Sequence, residues 1–266
     1  MTGRRAVLVL GATGKTGAAV SRALLARGVP VRGTSRQPGP GMVRVDLSTG
    51  EGLDEAMRGV RAVHHSAPNL SADEVPMLAR TIAAARSAGV ERIVLHSVMH
   101  PFVPAMPHHL RKAEAENLLR TSGLDWTILQ PAAYHQNLLP GLRRGRISLP
   151  YSLEQRFSNV DLDDVAEATA TVLLDEGHVH ATYELAGPEE LDAHAMAARA
   201  SEVLGREVKA ERVDPPVTGD LRSTSELLAM FAHYDAHGFV GSPTVLAHLL
   251  GRTPTTWSQF LERTLR

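Results

Sequence analysis

At 266 residues the chain is long enough for one or two domains around a substantial core. It contains no cysteine, which excludes disulfides, thiolate metal sites and cysteine nucleophiles and makes an intracellular setting the simple expectation. Its 28 basic and 29 acidic residues leave a formal charge of −1, so no global field draws it to nucleic acid or anionic lipid.

The first residues, "MTGRRAVLVLGATG", place two arginines before an apolar run of about five residues, too short for a membrane span or a signal sequence. A soluble cytoplasmic protein with no nucleic-acid or membrane partner is expected. "RRAVLVLGA" predicts a first strand, and "KTGAAVSRALLARG" a helix with Gly28 as its C-cap. "VPVRGTSR", "MVRVDL" and "VRAVHHSAP" read as strands two to four, each set apart by a helix or a glycine-rich turn. "DEVPMLARTIAAARSAGV" is a helix, "ERIVLHS" a fifth strand, "RKAEAENLLRTSG" a helix and "LDWTILQP" a sixth strand.

After Pro140 the regularity weakens, beginning with the basic stretch "GLRRGRIS". "NVDLDDVAEATATVLLDEG" reads as a helix opened by acids that suit its N-terminus, "HATYELAG" as a strand, "DAHAMAARASEVLG" as a helix and "REVKAERVD" as a strand. The tail from Thr218 to Arg266 is mostly helical, broken at "HGFVGSP" and "GRTPTT". The alternation predicts an α/β fold, a doubly wound parallel sheet in residues 1–150 to which helix 161–175 and strand 181–186 return. Residues 151–266 are expected to form a smaller C-terminal α/β substrate region over the ends of the strands, where such sheets place their ligands.

"VLVLGATGKTGAAV" superposes two phosphate-binding patterns. A triphosphatase loop needs a glycine five residues before the glycine of Gly-Lys-Ser/Thr, and counting back from Gly14 gives Val9, inside the strand. Gly11, Gly14 and Gly17, between a strand and a helix, fit a dinucleotide turn instead: a tight turn, close backbone approach to the pyrophosphate, and close packing of helix on sheet. Thr13, Lys15 and Thr16 share this loop, and the diphosphate belongs at the positive end of the helix.

The end of the second strand selects the dinucleotide. An acid there suits the ribose 2′-hydroxyl of NAD, whereas this chain has Ser35 and Arg36, and a guanidinium fork matches the 2′-phosphate of NADP. NADP(H) is the expected cofactor. Asp46, after the third strand and followed by Leu47, is expected to bind the adenine amino group. Ser66, Ala67 and Pro68, after strand four, flank the adenosine ribose.

"GATGKTG", the "TSR" after the second strand, "RKAEAENLLRTSGLDWTILQPAAYHQN", "NVDLDDVAEATATVLL", "YELAGPEEL" and "LLGRTPTTWSQFL" together resemble the NmrA-like family, an atypical branch of the short-chain dehydrogenase/reductase superfamily. The resemblance runs over nearly the whole chain. It implies an NADP-binding Rossmann domain and a smaller substrate region, in a family that includes quinone, dye and phenylpropanoid reductases and also NADP-binding redox sensors.

The superfamily's usual catalytic pair is a tyrosine four residues before a lysine on one helix face, where the lysine charge lowers the phenol's pKa and holds the ribose. The lysine matches Lys112, and four residues earlier stands His108, which also titrates near neutrality and can transfer a proton. Only Lys15, Lys112 and Lys209 are lysine in an otherwise arginine-using chain, which marks Lys112 as a compact ammonium for the nicotinamide ribose. The competing reading is a solvated helix lysine paired with Glu116 at i+4.

Ser97 ends the fifth strand where the family's active-site serine or threonine sits, placed to orient a substrate carbonyl. Pro131, Ala132, Ala133 and Tyr134 follow the sixth strand in the segment that passes the nicotinamide, and Tyr134 is the replacement proton donor if His108 is not. His64, His65, His96, His100, His108, His109 and His135 fall near the predicted C-terminal ends of strands four to six, facing the expected cleft. One or two are expected to line a pocket; no pair of them sits on a helix at metal-ligand spacing, so no metal is expected.

The sequence therefore predicts an NADP-dependent oxidoreductase passing hydride to a small carbonyl, quinone or conjugated enone. Two alternatives stand beside it: a non-enzymatic NADP-binding redox sensor, and a non-redox tailoring enzyme on the same scaffold. "HYDAHGFVGSP" is expected to hinge a substrate lid.

Overall fold

The computed structural model describes residues 5–266, so the Arg4 end of the first expected strand lies outside the described residues. In chain order the elements are β1 (Val7–Val9), α1 (Lys15–Ala26), β2 (Val31–Ser35), β3 (Val43–Arg44), α2 (Leu53–Met57), β4 (Ala62–His65), α3 (Glu74–Ala88), β5 (Arg92–His96), α4 (Pro107–Arg120) and β6 (Asp125–Pro131). A short 3-10 turn, His135–Leu138, leads into α5 (Leu139–Leu142), β7 (Arg146–Leu149), α6 (Leu162–Leu174), β8 (Ala181–Leu185), α7 (Ala193–Leu204) and β9 (Lys209–Arg212). The chain ends in α8 (Leu221–His237), α9 (Thr244–Leu250) and α10 (Trp257–Leu265).

Two compact units emerge. The first runs to Pro101 and takes in Arg111–Gln130 and Ala166–Tyr183; the second comprises Phe102–Leu110, Pro131–Val165 and Glu184–Arg266. The main sheet has strand order β3-β2-β1-β4-β5-β6-β8, the doubly wound order extended by one strand. Its pairs from β3 to β6 are parallel, which is why β1 and the Ile93–Leu95 centre of β5 read as continuous apolar runs: both faces are covered. Leu8, Leu10, Val63, Ile93, Leu95 and Ile128 from these strands meet Leu78, Ile82 and Leu119 from the helices in one core.

Local signals close the elements. Gly28, at φ +68, follows α1 and takes the left-handed conformation, while the Val29 N–H reaches back to the Leu24 carbonyl. The third strand is shorter than "MVRVDL" promised, because at Asp46 the chain turns. The Ser48 N–H bonds the Asp46 carboxylate at 2.8 Å and the Gly50 N–H bonds its carbonyl at 2.7 Å.

The second unit has its own core of Leu142, Ile147, Leu149, Met196, Ala200, Trp257, Phe260 and Leu261. Part of it is a parallel pair, β7 with β9, that the reading of "GLRRGRIS" as irregular does not anticipate. Ile147 and Leu149 alternate inward between Arg146 and Ser148, a short period-two signal hidden by the arginines before it. The segment expected to hinge a lid is tethered. Tyr234 and Phe239 are buried in a ring cluster with Tyr151, Phe157 and Phe231, and the Phe239 N–H donates to the Arg156 carbonyl at 2.9 Å. Among the described residues no helix is long and apolar enough to cross a membrane.

Candidate active site

The turn after β1 has the shape of a phosphate cradle. Gly11 sits at φ +69, open to glycine without strain, and the Gly14 N–H returns to its carbonyl at 2.9 Å. A Cβ at Gly17 would collide with that same carbonyl, so helix and turn approach as only glycine permits. Gly14 caps α1 in extended conformation; being glycine it brings no side chain to cap the helix, and no acid occupies the first turn. A helix N-terminus left in this state favours an anion. These features fit the pyrophosphate of a dinucleotide.

The Thr13 hydroxyl donates to the Ser35 hydroxyl at 3.3 Å, which ties the glycine loop to the end of β2, and the next residue, Arg36, is exposed. Asp46 and Leu47 are half-buried, one Asp46 oxygen being engaged by the Ser48 N–H. The Ser66 carbonyl lies 3.7 Å from where a Cβ of Gly11 would stand, which puts the end of β4 against the same loop. Ala67 is half-buried and Pro68 exposed. Lys15 and Thr16 open α1 at the rim of the turn.

Lys112 departs from its expected surroundings. It is 8% exposed, not solvated, and its ammonium lies 2.5 Å from Glu74 Oε1, at the start of α3. The i+4 pairing with Glu116 does not form because that carboxylate is already engaged. The Ser97 hydroxyl donates to Glu116 Oε1 at 2.6 Å, Gln130 Nε2 to the same oxygen at 2.8 Å, and Arg120 to Oε2 at 3.0 Å. Ser97, expected to orient a substrate carbonyl, thus directs its proton to Glu116. Glu74 and Gln130 escape a sequence reading, the first looking like an ordinary acid at a helix start and the second lacking a motif, while Glu116 is legible there only as a partner of Lys112.

Several of the histidines belong to the interior. His64 and His65 lie within β4, fully buried; the His64 ring meets that of His96 edge-on at 5.7 Å. His65 Nδ1 lies 3.1 Å from the Thr81 hydroxyl. Burial lowers His64 to about 4 and His65 to about 3, with the neighbouring charges of His64 and Lys112 adding to the effect at His65. His96 is lowered by the same causes, burial first. These imidazoles are neutral fillers of a sheet interior. Among the described residues no group of three His, Asp or Glu is arranged to hold a metal ion.

In the second unit, His108 and His109 lie in the first turn of α4, both buried, and the His109 ring packs edge-on against Phe239 at 5.8 Å. Pro131 and Ala132 are buried, with the Ala132 N–H on the Leu185 carbonyl at 3.0 Å; Ala133 and Tyr134 are half-buried. Tyr134 precedes the 3-10 turn, its backbone bridged to Val160. His135 packs between Trp257 and Phe260, at 5.0 and 5.2 Å, in the core of the unit. A separate cavity of about 770 Å³ in this unit is lined by Pro150, Val213, Leu228 and Phe231 with Arg212 and Asp235.

The NmrA-like family model matches residues 3–261. The chain is 34% identical over 222 residues, 78% of its length and 77% of the relative's, to a (4-alkanoyl-5-oxo-2,5-dihydrofuran-3-yl)methyl phosphate reductase of Streptomyces griseus. It is 31% identical over 218 residues, 76% of this chain and 75% of the other, to an NAD(P)H azoreductase of Xenophilus azovorans. Among solved structures it matches the NADPH complex of an NADPH-dependent quinone oxidoreductase of Escherichia coli, with TM-score 0.81, 22% identity, and 98% and 100% of the two chains covered. It also matches the NADP(H) complex of a triphenylmethane reductase of Citrobacter sp., with TM-score 0.80, 23% identity and the same coverage. The solved structures share the doubly wound architecture, and the family model spans nearly every residue: the chain belongs to the NmrA-like family.

Proposed function

We propose that the protein is an NADPH-dependent reductase passing hydride to a small carbonyl, quinone or conjugated enone. The observation that carries the reading is the cradle at Gly11, Gly14 and Gly17, with Gly17 too close to the Gly11 carbonyl for any side chain and the first turn of α1 facing the same space. Reductases that use NADPH among its structural neighbours, and two reductases among its sequence relatives, support it.

NADPH, when bound, supplies the hydride. The chain's own residues do the rest. The amides of the glycine turn and of Lys15, Thr16 and Gly17 hold the pyrophosphate. Arg36, with Ser35 and Thr13, takes the 2′-phosphate; Asp46, Leu47 and Ser66 to Pro68 flank the adenosine. Lys112 holds the nicotinamide ribose, and Pro131 to Tyr134 line the nicotinamide. His108 or Tyr134 gives the proton to the reduced substrate. Ser97 acts in this reading through Glu116, on the packing of α4 against β5, and not on substrate.

The test is to mix the protein with NADPH and a panel of quinones, aldehydes and enones and follow NADPH absorbance. Turnover with at least one acceptor, abolished in Lys112→Ala, is the expected result. A second reading, an NADP-binding redox sensor, is favoured by one observation: the two groups matched to the family's active site, Ser97 and Lys112, are both engaged by carboxylates. Tight NADPH binding with no turnover on any acceptor would decide for it.

A further inference from the structure

Lys112 and Glu74 form a buried ion pair between α4 and α3, their side chains 9% and 2% exposed. Removing two charges from water is costly and is offset only where the geometry is good. His65 and His96, both buried, lie close enough to Lys112 for its charge to act on them. Glu74 Oε2 is buried and has no partner among the described residues, which leaves the carboxylate fixed through its other oxygen, by Lys112. An ammonium carries three donors. Glu74 takes one of them.

We propose that Glu74 is a positioning residue for Lys112: by holding one N–H from behind, it aims the remaining two at the hydroxyls of the nicotinamide ribose. The inference rests on the reductase reading and deepens it. A four-carbon lysine stem has many rotamers of similar energy, and fixing the tip beforehand lowers the ordering cost of binding. The role is confined to the nicotinamide half of the nucleotide. The adenosine half is held by the glycine turn and the end of β2.

Glu74→Gln keeps the shape and removes the charge. Its affinity for NADPH is expected to fall about tenfold, read by fluorescence titration, while that for adenosine 2′,5′-bisphosphate, which lacks the nicotinamide ribose, is unchanged. The kcat falls and the KM for the acceptor stays. Combined with Lys112→Ala, the loss in NADPH affinity is no greater than that of Lys112→Ala alone, the sign that Glu74 acts through the lysine. A merely structural role would weaken both nucleotides or give losses that add, and either result overturns the proposal. Lys112→Ala weakening NADPH while Glu74→Gln does not overturns the positioning role alone. A wild-type protein that binds neither nucleotide overturns the reductase reading and the positioning role with it. Should Glu74→Gln not fold, Glu74→Asp decides the matter. One methylene short with its charge kept, it must weaken NADPH and spare adenosine 2′,5′-bisphosphate, and equal affinity for both relative to wild type sinks the proposal.

Discussion

The Ser97 hydroxyl donates to Glu116 Oε1 across 2.6 Å, at a carboxylate that is completely buried and that two further side chains complete. The pairing links the end of β5 to the middle of α4. Ser97→Ala removes one donor and leaves the buried carboxylate one bond short, which costs about 1–3 kcal/mol. Urea unfolding should show a lower midpoint with an unchanged slope. Because the hydroxyl is committed to Glu116, the KM for any acceptor should stay within about twofold, well under the tenfold that 1.4 kcal/mol represents. A variant of native stability with a greatly raised KM would return Ser97 to the substrate.

Gly17→Ala tests the cradle. Its Cβ would meet the Gly11 carbonyl, which is backbone and cannot swing aside, so the turn itself must shift. Overpacking of this kind costs about 1–3 kcal/mol, and NADPH affinity should fall about tenfold or more as the amides lose their alignment. Circular dichroism separates the loss of binding from a loss of fold. Unchanged affinity would mean that the nucleotide does not lie on this turn.

Arg36→Ala tests the choice of dinucleotide. A charged hydrogen bond to phosphate contributes about 1.5–3 kcal/mol, so the preference for NADPH over NADH should fall by about tenfold to a hundredfold. Affinity for NADH itself should barely change. A variant that keeps full preference for NADPH would show that the discriminating group lies elsewhere.

Most of the sheet is legible in the sequence because parallel strands covered on both faces leave continuous apolar runs, as β1 and the Ile93–Leu95 centre of β5 do. The glycine turn is legible for a related reason: its spacing states a backbone requirement directly. What stays hidden is partnership across the chain. Helical spacing offers Glu116 to Lys112, yet the pair that forms joins residues 38 apart in sequence. Nearness to strand ends likewise suggested cleft histidines, whereas whether His64, His65 or His135 faces solvent or core depends on which helix covers it. The arginines before β7 masked a strand whose inward residues are only Ile147 and Leu149.

The buried histidines make the fold sensitive to acid. His64 and His135 are held at about 4 and His65 at about 3 mainly by burial, at His135 against the opposing pull of Asp161, Glu189 and Asp164. An unfolded chain titrates its histidines near 6.5. Above that pH both states carry neutral rings and these residues are silent. Below it the unfolded chain takes up protons that the folded chain refuses, so stability falls from about pH 6.5 to about pH 4 by about 1.4 kcal/mol per pH unit for each ring. His135→Phe keeps a ring between Trp257 and Phe260 and should lose about 2 kcal/mol less than wild type between about pH 6.5 and pH 5, in urea unfolding. An identical slope in both proteins would show that His135 is protonated in the fold.

The last helix is fastened by an ion pair of a different kind. Asp161 is fully buried, its Oδ1 accepting from Gln136 at 2.7 Å and its Oδ2 from Arg263 of α10 at 2.6 Å. Asp164, one turn on, is held in the same way by Arg252 and by the Thr255 N–H and hydroxyl. Removing Arg263 leaves a buried carboxylate without its counter-charge, a loss of about 3–5 kcal/mol in a fully buried pair. The arginine is 46% exposed, so water replaces part of its contribution, and Arg263→Ala should cost about 2 kcal/mol. Asp161→Asn in the same background should recover part of that loss, because the uncompensated charge is gone. A urea midpoint unmoved by Arg263→Ala would show that α10 is held by Trp257, Phe260 and Leu261 alone.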